Sequence, residues 1–200
     1  MAKYQTEDIR NLAIVGTAGA GKTTLVEQML HDAGVIGRVG RVEDGNTVCD
    51  HTDLEKEVKH SLEAAVVHFD HAGAHVNLID TPGSSDLVGT AMSAFPGVDV
   101  VTLVVDATAA LGSTERRLMK MAAARNLPRM IVINKIDQAT DLGETLEAVQ
   151  EIFGSECKAI NLPAAGGTAV IDCFQNATGE SDLGDVSGFH TAIIDQVVEV

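Results

Sequence analysis

Eight consecutive residues, Gly16-Thr17-Ala18-Gly19-Ala20-Gly21-Lys22-Thr23, carry the densest chemistry in the chain. Glycines bracketing four residues, followed by Lys and a hydroxyl, form the pattern of a phosphate-binding loop when a strand precedes and a helix follows. Residues 11–15 read as that strand, and a helix is expected to start at Lys22. Backbone N–H groups of the turn and of the helix N-terminus then point at a β-phosphate. Lys22 neutralises β- and γ-oxygens, the Thr23 hydroxyl ligates Mg²⁺, and Thr24 completes the nucleotide contacts.

Two further motifs follow in order. Asp80-Thr81-Pro82-Gly83 comes after the apolar run Val76, Leu78, Ile79. A carboxylate there reaches Mg²⁺ through water, and Gly83, lacking a side chain, offers its N–H to a γ-phosphate. Asn134-Lys135-Ile136-Asp137 closes another apolar strand. The Asp137 carboxylate accepts two hydrogen bonds from guanine N1–H and the exocyclic amine, whereas adenine has neither donor on that edge and would leave the carboxylate unpaired. Either tetrapeptide alone is an ordinary turn; after a phosphate loop, each at a strand end, they point to GTP and GDP with Mg²⁺. A small-molecule kinase with the same loop would need an acceptor pocket and an arginine-bearing lid, and residues 134–137 argue against it.

The elements that must position these motifs are legible as alternating β-rich runs and helical patterns, the signature of an α/β fold with helices on both faces of a mostly parallel sheet. Strands are expected at residues 11–15, 65–70, 75–79, 100–105 and 129–133. Asp70-His71-Ala72-Gly73 is short enough to close a hairpin, which makes one edge pair antiparallel. Helices are expected from Lys22, near Ser85, near Ser113 and near Asp141, where Asp141 and Glu144 form a capping box and Leu142, Leu146, Val149 and Phe153 share a face. Residues 34–59 show no clear period, which in a compact domain marks a functional or mobile segment. After Cys157 the chain changes character, with a short strand at residues 169–174 and a final helix that stops in mid-pattern, the expectation for a piece of a longer chain.

Composition narrows the classes further. The chain has 200 residues, 45% of them apolar, enough for a substantial core. Against 29 Asp and Glu there are only 14 Lys and Arg, and the net charge of −15 disfavours bulk binding to nucleic acid. No apolar stretch approaches the roughly 20 residues of a membrane span, and the charged residues 1–11 exclude a secretory signal. Cys49, Cys157 and Cys173 lack metal-ligand spacing and fit reduced thiols in the cytoplasm. His68, His71 and His75 read as surface histidines of an edge, Glu55-Lys56-Glu57 as a solvated helical face, and Met119 with Met121 as helix packing.

The three motifs in this order resemble a GTPase, and the residues around them resemble the translational GTPases of the elongation factor G-like branch. The likeness includes Gly37-Arg38-Val39-Gly40-Arg41-Val42-Glu43-Asp44-Gly45, Asn77-Leu78-Ile79-Asp80-Thr81-Pro82-Gly83, Leu127-Pro128-Arg129 and Asn161-Leu162-Pro163. It implies a P-loop NTPase core at residues 1–157, with switch one at about 34–63 and switch two at about 80–95, and the start of an inserted subdomain at 158–200. It implies a Mg²⁺-dependent GTPase whose full-length protein engages the ribosome, taken as a cytoplasmic monomer. Ser61 falls where the family has the switch-one Thr that meets Mg²⁺. Gly19 stands where many members carry an Asp that helps hold a monovalent cation, and Ser84 where active members carry the His that positions the attacking water. These departures imply slow hydrolysis, or a binding switch that has lost it. The family's guanine-contacting Ser-Ala loop follows the inserted subdomain and has no counterpart here.

Overall fold

The computed structural model describes residues 4–199; the outermost residues of the expected ranges, 1–3 and 200, lie outside them. Two compact units emerge. The first contains the residues up to Asp106 together with Gly112–Asn134, and the second contains Ala107–Leu111 and the residues from Lys135 onward. The expected boundary at 157/158 falls inside the second unit.

In the first unit five strands form one sheet: β1 (Ile9–Val15), β2 (Ala65–His71), β3 (Ala74–Asp80), β4 (Val100–Asp106) and β5 (Arg129–Asn134), in the order β2-β3-β1-β4-β5. The pairs β1/β3, β1/β4 and β4/β5 are parallel. Only β2 runs antiparallel, folded back on β3 through the Ala72–Gly73 turn, where both residues have positive φ. The central strands are Val- and Ile-rich because both faces are covered: Ala13, Ile14 and Val15 are all buried, as are Val101, Leu103, Val104 and Val105.

Among the described residues four α-helices belong to this unit, besides short 3₁₀ turns: α1 (Lys22–Asp32), α2 (Asp53–Val58), α3 (Val88–Ser93) and α4 (Ser113–Ala123). Helix α1 packs on β3 and α4 on β4 and β5. The α1 side of the sheet gathers Ile14, Leu78 and Val104 with Val26 and Leu30 of the helix and Cys49 of the loop that follows it. Alternation turns Ala13, Val15, Leu103 and Val105 to the other face. Helix α4 buries Leu118, Met119 and Ala122. Strand ends therefore deliver residues 16–23, Asp80 and Asn134 to one edge of the sheet, where a doubly wound α/β fold places its ligands.

The second unit holds α5 (Leu142–Phe153), the antiparallel pairs β6 (Asn161–Ala164) with β7 (Ala169–Asp172) and β8 (Glu180–Ser181) with β9 (Gly184–Asp185), and α6 (Val186–Glu199). Its small core is Leu162, Cys173, Val186 and Ile193. Asp141 caps α5 by accepting the Glu144 N–H at 3.0 Å, but the reciprocal bond of a full capping box is not among those formed at this N-cap. The strand expected at 169–174 stops at Asp172, whose carboxylate accepts the Phe174 N–H and turns the chain.

One core atom is at odds with its surroundings. Thr102, beside Ile14 and Met130 in the middle of the sheet, is 1% exposed and its hydroxyl has no hydrogen-bond partner among the described residues. Replacing an unpaired buried hydroxyl by a methyl of the same shape removes a desolvation cost. Thr102→Val is therefore expected to raise stability by about 1 kcal/mol, read as a higher urea midpoint at unchanged slope; a lower midpoint contradicts this.

Candidate functional site

The glycine-rich turn ends at Gly21, the N-cap of α1. Lys22 and Thr23, in the helix's first turn, are both buried, while Ala18, Gly19 and Thr24 are exposed. The Lys22 ammonium reaches back to donate to the Thr17 carbonyl at 3.0 Å. Burial holds it below the usual lysine range, against the pull of Asp80, Asp50 and Glu115. The Ala20 carbonyl accepts a 2.9 Å hydrogen bond from the Asn134 side-chain amide, which ties the end of β5 to the turn.

Strand β3 ends at Asp80, 1% exposed. Its Oδ2 accepts the Thr23 hydroxyl at 2.7 Å, and its Oδ1 is buried with no hydrogen-bond partner among the described residues. Burial lifts its pKa to about 6, the Thr23 hydrogen bond and the Lys22 charge offsetting only part of the effect. Thr81 donates to the Ile14 carbonyl at 2.8 Å and fastens the next turn to β1. Gly83 then passes so close to the phosphate loop that a Cβ on it would collide with Lys22 Nζ, Ala18 N and Thr17 C. Only a residue without a side chain brings this backbone there. Ser84 follows, half-buried, its carbonyl accepting from Leu87 N–H at 3.0 Å.

Ser61 reaches the same spot from the aperiodic segment. Its hydroxyl lies 3.3 Å from that of Thr23 and donates to Asp50 Oδ1 at 2.7 Å. Asp50, 2% exposed, also accepts the Thr47 hydroxyl at 3.0 Å. Sequence reasoning missed Asp50; the only local signal is the Thr47-x-x-Asp50 spacing of a side-chain-closed turn. Thr23, Ser61, Asp50 and Asp80 thus form one hydrogen-bonded cluster of hard oxygen groups.

The segment from 34 to 59 is more ordered than its lack of period suggests, with a 3₁₀ turn at Val42–Asp44 and helix α2. Here the solvated reading of Glu55 is corrected: Lys56 and Glu57 are exposed, but Glu55 is 1% exposed. It completes a capping box with Thr52, and its Oε1 accepts the Leu62 and Glu63 amides at 3.0 and 3.1 Å. Burial by itself would raise its pKa, yet the hydrogen bonds from Leu62, Thr52 and Glu63 outweigh that and hold it down to about 2. The signature Thr-x-x-Glu at residues 52–55 was the available clue.

Lys135 and Asp137 belong to the second unit. Lys135 takes a left-handed backbone, φ +59°, in a turn closed by Gln138 N–H on its carbonyl at 3.0 Å, and the Asp137 side chain is exposed. On the sheet's antiparallel edge, His75 contacts the Asp70 carboxylate at 2.8 Å and stacks on Tyr4, with His68 tilted beside it.

Residues 7–200 match the family described as the elongation factor Tu GTP binding domain. The chain belongs to this family. It is 36% identical over 160 residues to an elongation factor G-like protein of Mycobacterium tuberculosis (strain ATCC 25618 / H37Rv), a match covering 80% of this chain and 22% of that one. Peptide chain release factor 3 of Streptococcus pyogenes serotype M1 is 33% identical over 172 residues, covering 82% and 34%. The crystal structure of ttk003000868 from Thermus thermophilus superposes with a TM-score of 0.86 at 31% identity, over 96% of this chain and 31% of that one. The fold is thus the P-loop GTP-binding domain of the translational GTPases. The chain spans between about a fifth and a third of the length of these relatives.

Glu55 supplies a test of the local electrostatics. Its folded pKa of about 2 lies below the ordinary 4.5, so its contribution is complete above about pH 5 and is lost as pH falls through 4.5 towards 2. Glu55→Gln is expected to cost about 2 kcal/mol at pH 7, the worth of hydrogen bonds to a charged acceptor. The gap between the urea midpoints of the two proteins should narrow as pH falls below 4.5 and close only at about pH 2; equal midpoints at pH 7 contradict the assignment.

Proposed function

We propose that this domain binds GTP and GDP with Mg²⁺ and hydrolyses GTP slowly, as the switch domain of an elongation factor G-like translation factor that engages the ribosome through its full-length protein. The observation that carries the reading is the cluster at the first turn of α1, where Thr23 of the phosphate loop meets Asp80 of the second motif and Ser61 of the first switch. Three segments far apart in sequence converge on one hydroxyl.

The residues fit Mg²⁺. Thr23, Ser61 and Asp80 offer hard oxygen ligands, and Asp80 Oδ1, buried without a partner, is the kind of orphan that a cation satisfies. When bound, Mg²⁺ supplies charge neutralisation at the phosphate oxygens. The chain's own groups do the rest. The amides of residues 16–24 cradle phosphate oxygens, and Lys22 neutralises them with an ammonium already held at the loop. Gly83, pressed against Thr17 and Ala18, offers its N–H to the terminal phosphate. Asn134 holds the loop through the Ala20 carbonyl, Lys135 continues the base-binding motif, and Asp137 reads guanine by its two donors. Residues 34–63 and 80–95 act as the two switches within a core of residues 1–157, and 158–200 begins an inserted subdomain. The setting is a cytoplasmic monomer, whose net charge of −15 keeps this domain off bulk nucleic acid.

Ser84 favours a second reading, a GTP-dependent binding switch that has lost hydrolysis. Its side chain is short for orienting water in line with a γ-phosphate, and positioning supplies most of the rate in phosphoryl transfer. His60, in the first switch, is the other imidazole to consider; its Nδ1 sits 2.9 Å from the Val58 carbonyl.

Competition titration is expected to show GTP and GDP bound in preference to ATP, and Asp137→Asn to shift preference toward xanthine nucleotides; equal wild-type affinity for ATP and GTP contradicts the guanine assignment. In the full-length protein, Ser84→His is expected to raise ribosome-stimulated phosphate release with GTP affinity nearly unchanged. Wild-type turnover as fast as that of the variant means that another residue places the water.

A further inference from the structure

Helix α1 buries Lys22, Thr23, Val26, Glu27 and Leu30 along one stripe. Glu27 is the anomaly, a carboxylate 1% exposed, on the same face as Thr23 and one helical turn beyond it. No ion pair involving it occurs among the described residues. Two backbone amides take its charge instead: Gly40 N–H donates to Oε2 at 2.9 Å, and Val48 N–H donates to Oε1. Charge-assisted bonds of this kind are roughly twice as strong as neutral ones.

The two amides are the two ends of one loop. Between them the chain closes on itself, with Arg41 N–H donating to the Asn46 side chain at 2.6 Å, and Asp44 and Gly45 N–H groups donating to the Arg41 and Val42 carbonyls at 3.1 Å. Glu27 clasps this loop at its neck. The fit leaves no room, since a Cβ on Gly40 would lie 2.6 Å from the Asn46 carbonyl oxygen and 2.8 Å from both Glu27 Oε2 and Thr47 Cα. Thr47, beside the clasped Val48, donates to Asp50; Asp50 accepts from Ser61; and Ser61 meets Thr23. A circuit of hydrogen bonds thus leaves α1 at Glu27 and returns to it at Thr23.

The geometry points to Glu27 as a positioning residue. By clasping both ends of residues 40–48 it fixes where Asp50 and Ser61 stand against Thr23, and so sets the order of the first switch independently of the anchor at Glu55. Its consequence for nucleotide rests on the proposed guanine-nucleotide and Mg²⁺ binding; the clasp itself does not.

The sequence supplies its own reporters. Arg38 and Arg41, exposed trypsin sites, flank the clasped Gly40, whereas Lys56 and Lys59, also exposed, lie in the part held by Glu55. In the full 200-residue chain without nucleotide, Glu27→Ala and Gly40→Ala are each expected to speed cleavage at Arg38 and Arg41 by at least about tenfold, the factor implied by losing one charge-assisted hydrogen bond. Cleavage at Lys56 and Lys59 should stay at the wild-type rate. Because both substitutions open one clasp, the double variant should be cleaved no faster than the worse single one. With GDP bound, the Mg²⁺ concentration needed to retain it should rise several-fold in both single variants, while GDP affinity in EDTA is unchanged. Glu27→Gln, which keeps the shape and an acceptor oxygen, should fall between wild type and Glu27→Ala, and with Gly40→Ala it decides the matter if Glu27→Ala does not fold. Uniform acceleration at all four sites, no acceleration at Arg38 and Arg41, or additive effects in the double variant overturns the clasp. Local cleavage without a changed Mg²⁺ requirement overturns the positioning role. Absence of GDP binding in wild type counts against the proposed function, and the protease arm then still decides the clasp.

Discussion

A carboxylate placed where water cannot reach it sets the terms for this site. Asp80 sits at the buried end of β3, between Ile14 of β1 and Ala65 of β2, with one oxygen satisfied by Thr23 and the other, among the described residues, meeting no N–H or O–H donor, only the weak thiol of Cys49 lying near the carboxylate. Isolated burial of such a group is costly and pushes it toward its neutral form. The arrangement persists because the phosphate loop brings the Thr23 hydroxyl and the Lys22 charge to it, while Ser61 meets the same Thr23 hydroxyl from the other side. A cation at the orphan oxygen would favour the charged form that burial opposes, which is how an electrostatic cost in the folded domain becomes affinity for a ligand.

The parallel core explains why the convergence is accurate. Strands β1, β3 and β5 end at the same edge, so the phosphate loop, Asp80 and Asn134 are positioned by strand registry rather than by long loops. Side-chain ties then remove the remaining freedom: Thr81 to the Ile14 carbonyl and Asn134 to the Ala20 carbonyl. The segment from 34 to 63, proposed as the first switch, is built differently. It has little sheet or helix of its own and is ordered by carboxylates that gather backbone amides, Glu27 at one end and Glu55 at the other. Such a segment depends on a few charge-assisted bonds rather than on broad apolar burial, which places it at the low-stability end of the fold.

This contrast also accounts for what the sequence disclosed. Strands, the edge hairpin and the three motifs were legible because their signals are local: an apolar period, a two-residue turn, a glycine-rich loop before a helix. Asp50, Glu27 and the true setting of Glu55 were not, because amides and hydroxyls beyond the local turn, from Leu62 and Glu63 for Glu55 to Gly40 and Val48 for Glu27, complete their settings, and without those partners in view each looks like any solvated charge. Glu27 did leave a trace, since it occupies the stripe shared by Thr23, Val26 and Leu30, where a charge is out of place unless it is paired.

The central claim is that Asp80, buried and half-satisfied, is where this chain couples a guanine nucleotide to a divalent cation. Calorimetric titration of GDP into wild type and Asp80→Asn, each with Mg²⁺ and with EDTA, tests it most directly. The account predicts that Mg²⁺ tightens GDP binding in wild type, and that in Asp80→Asn this increment vanishes while binding in EDTA persists. An Asp80→Asn variant that keeps the full Mg²⁺ increment contradicts it.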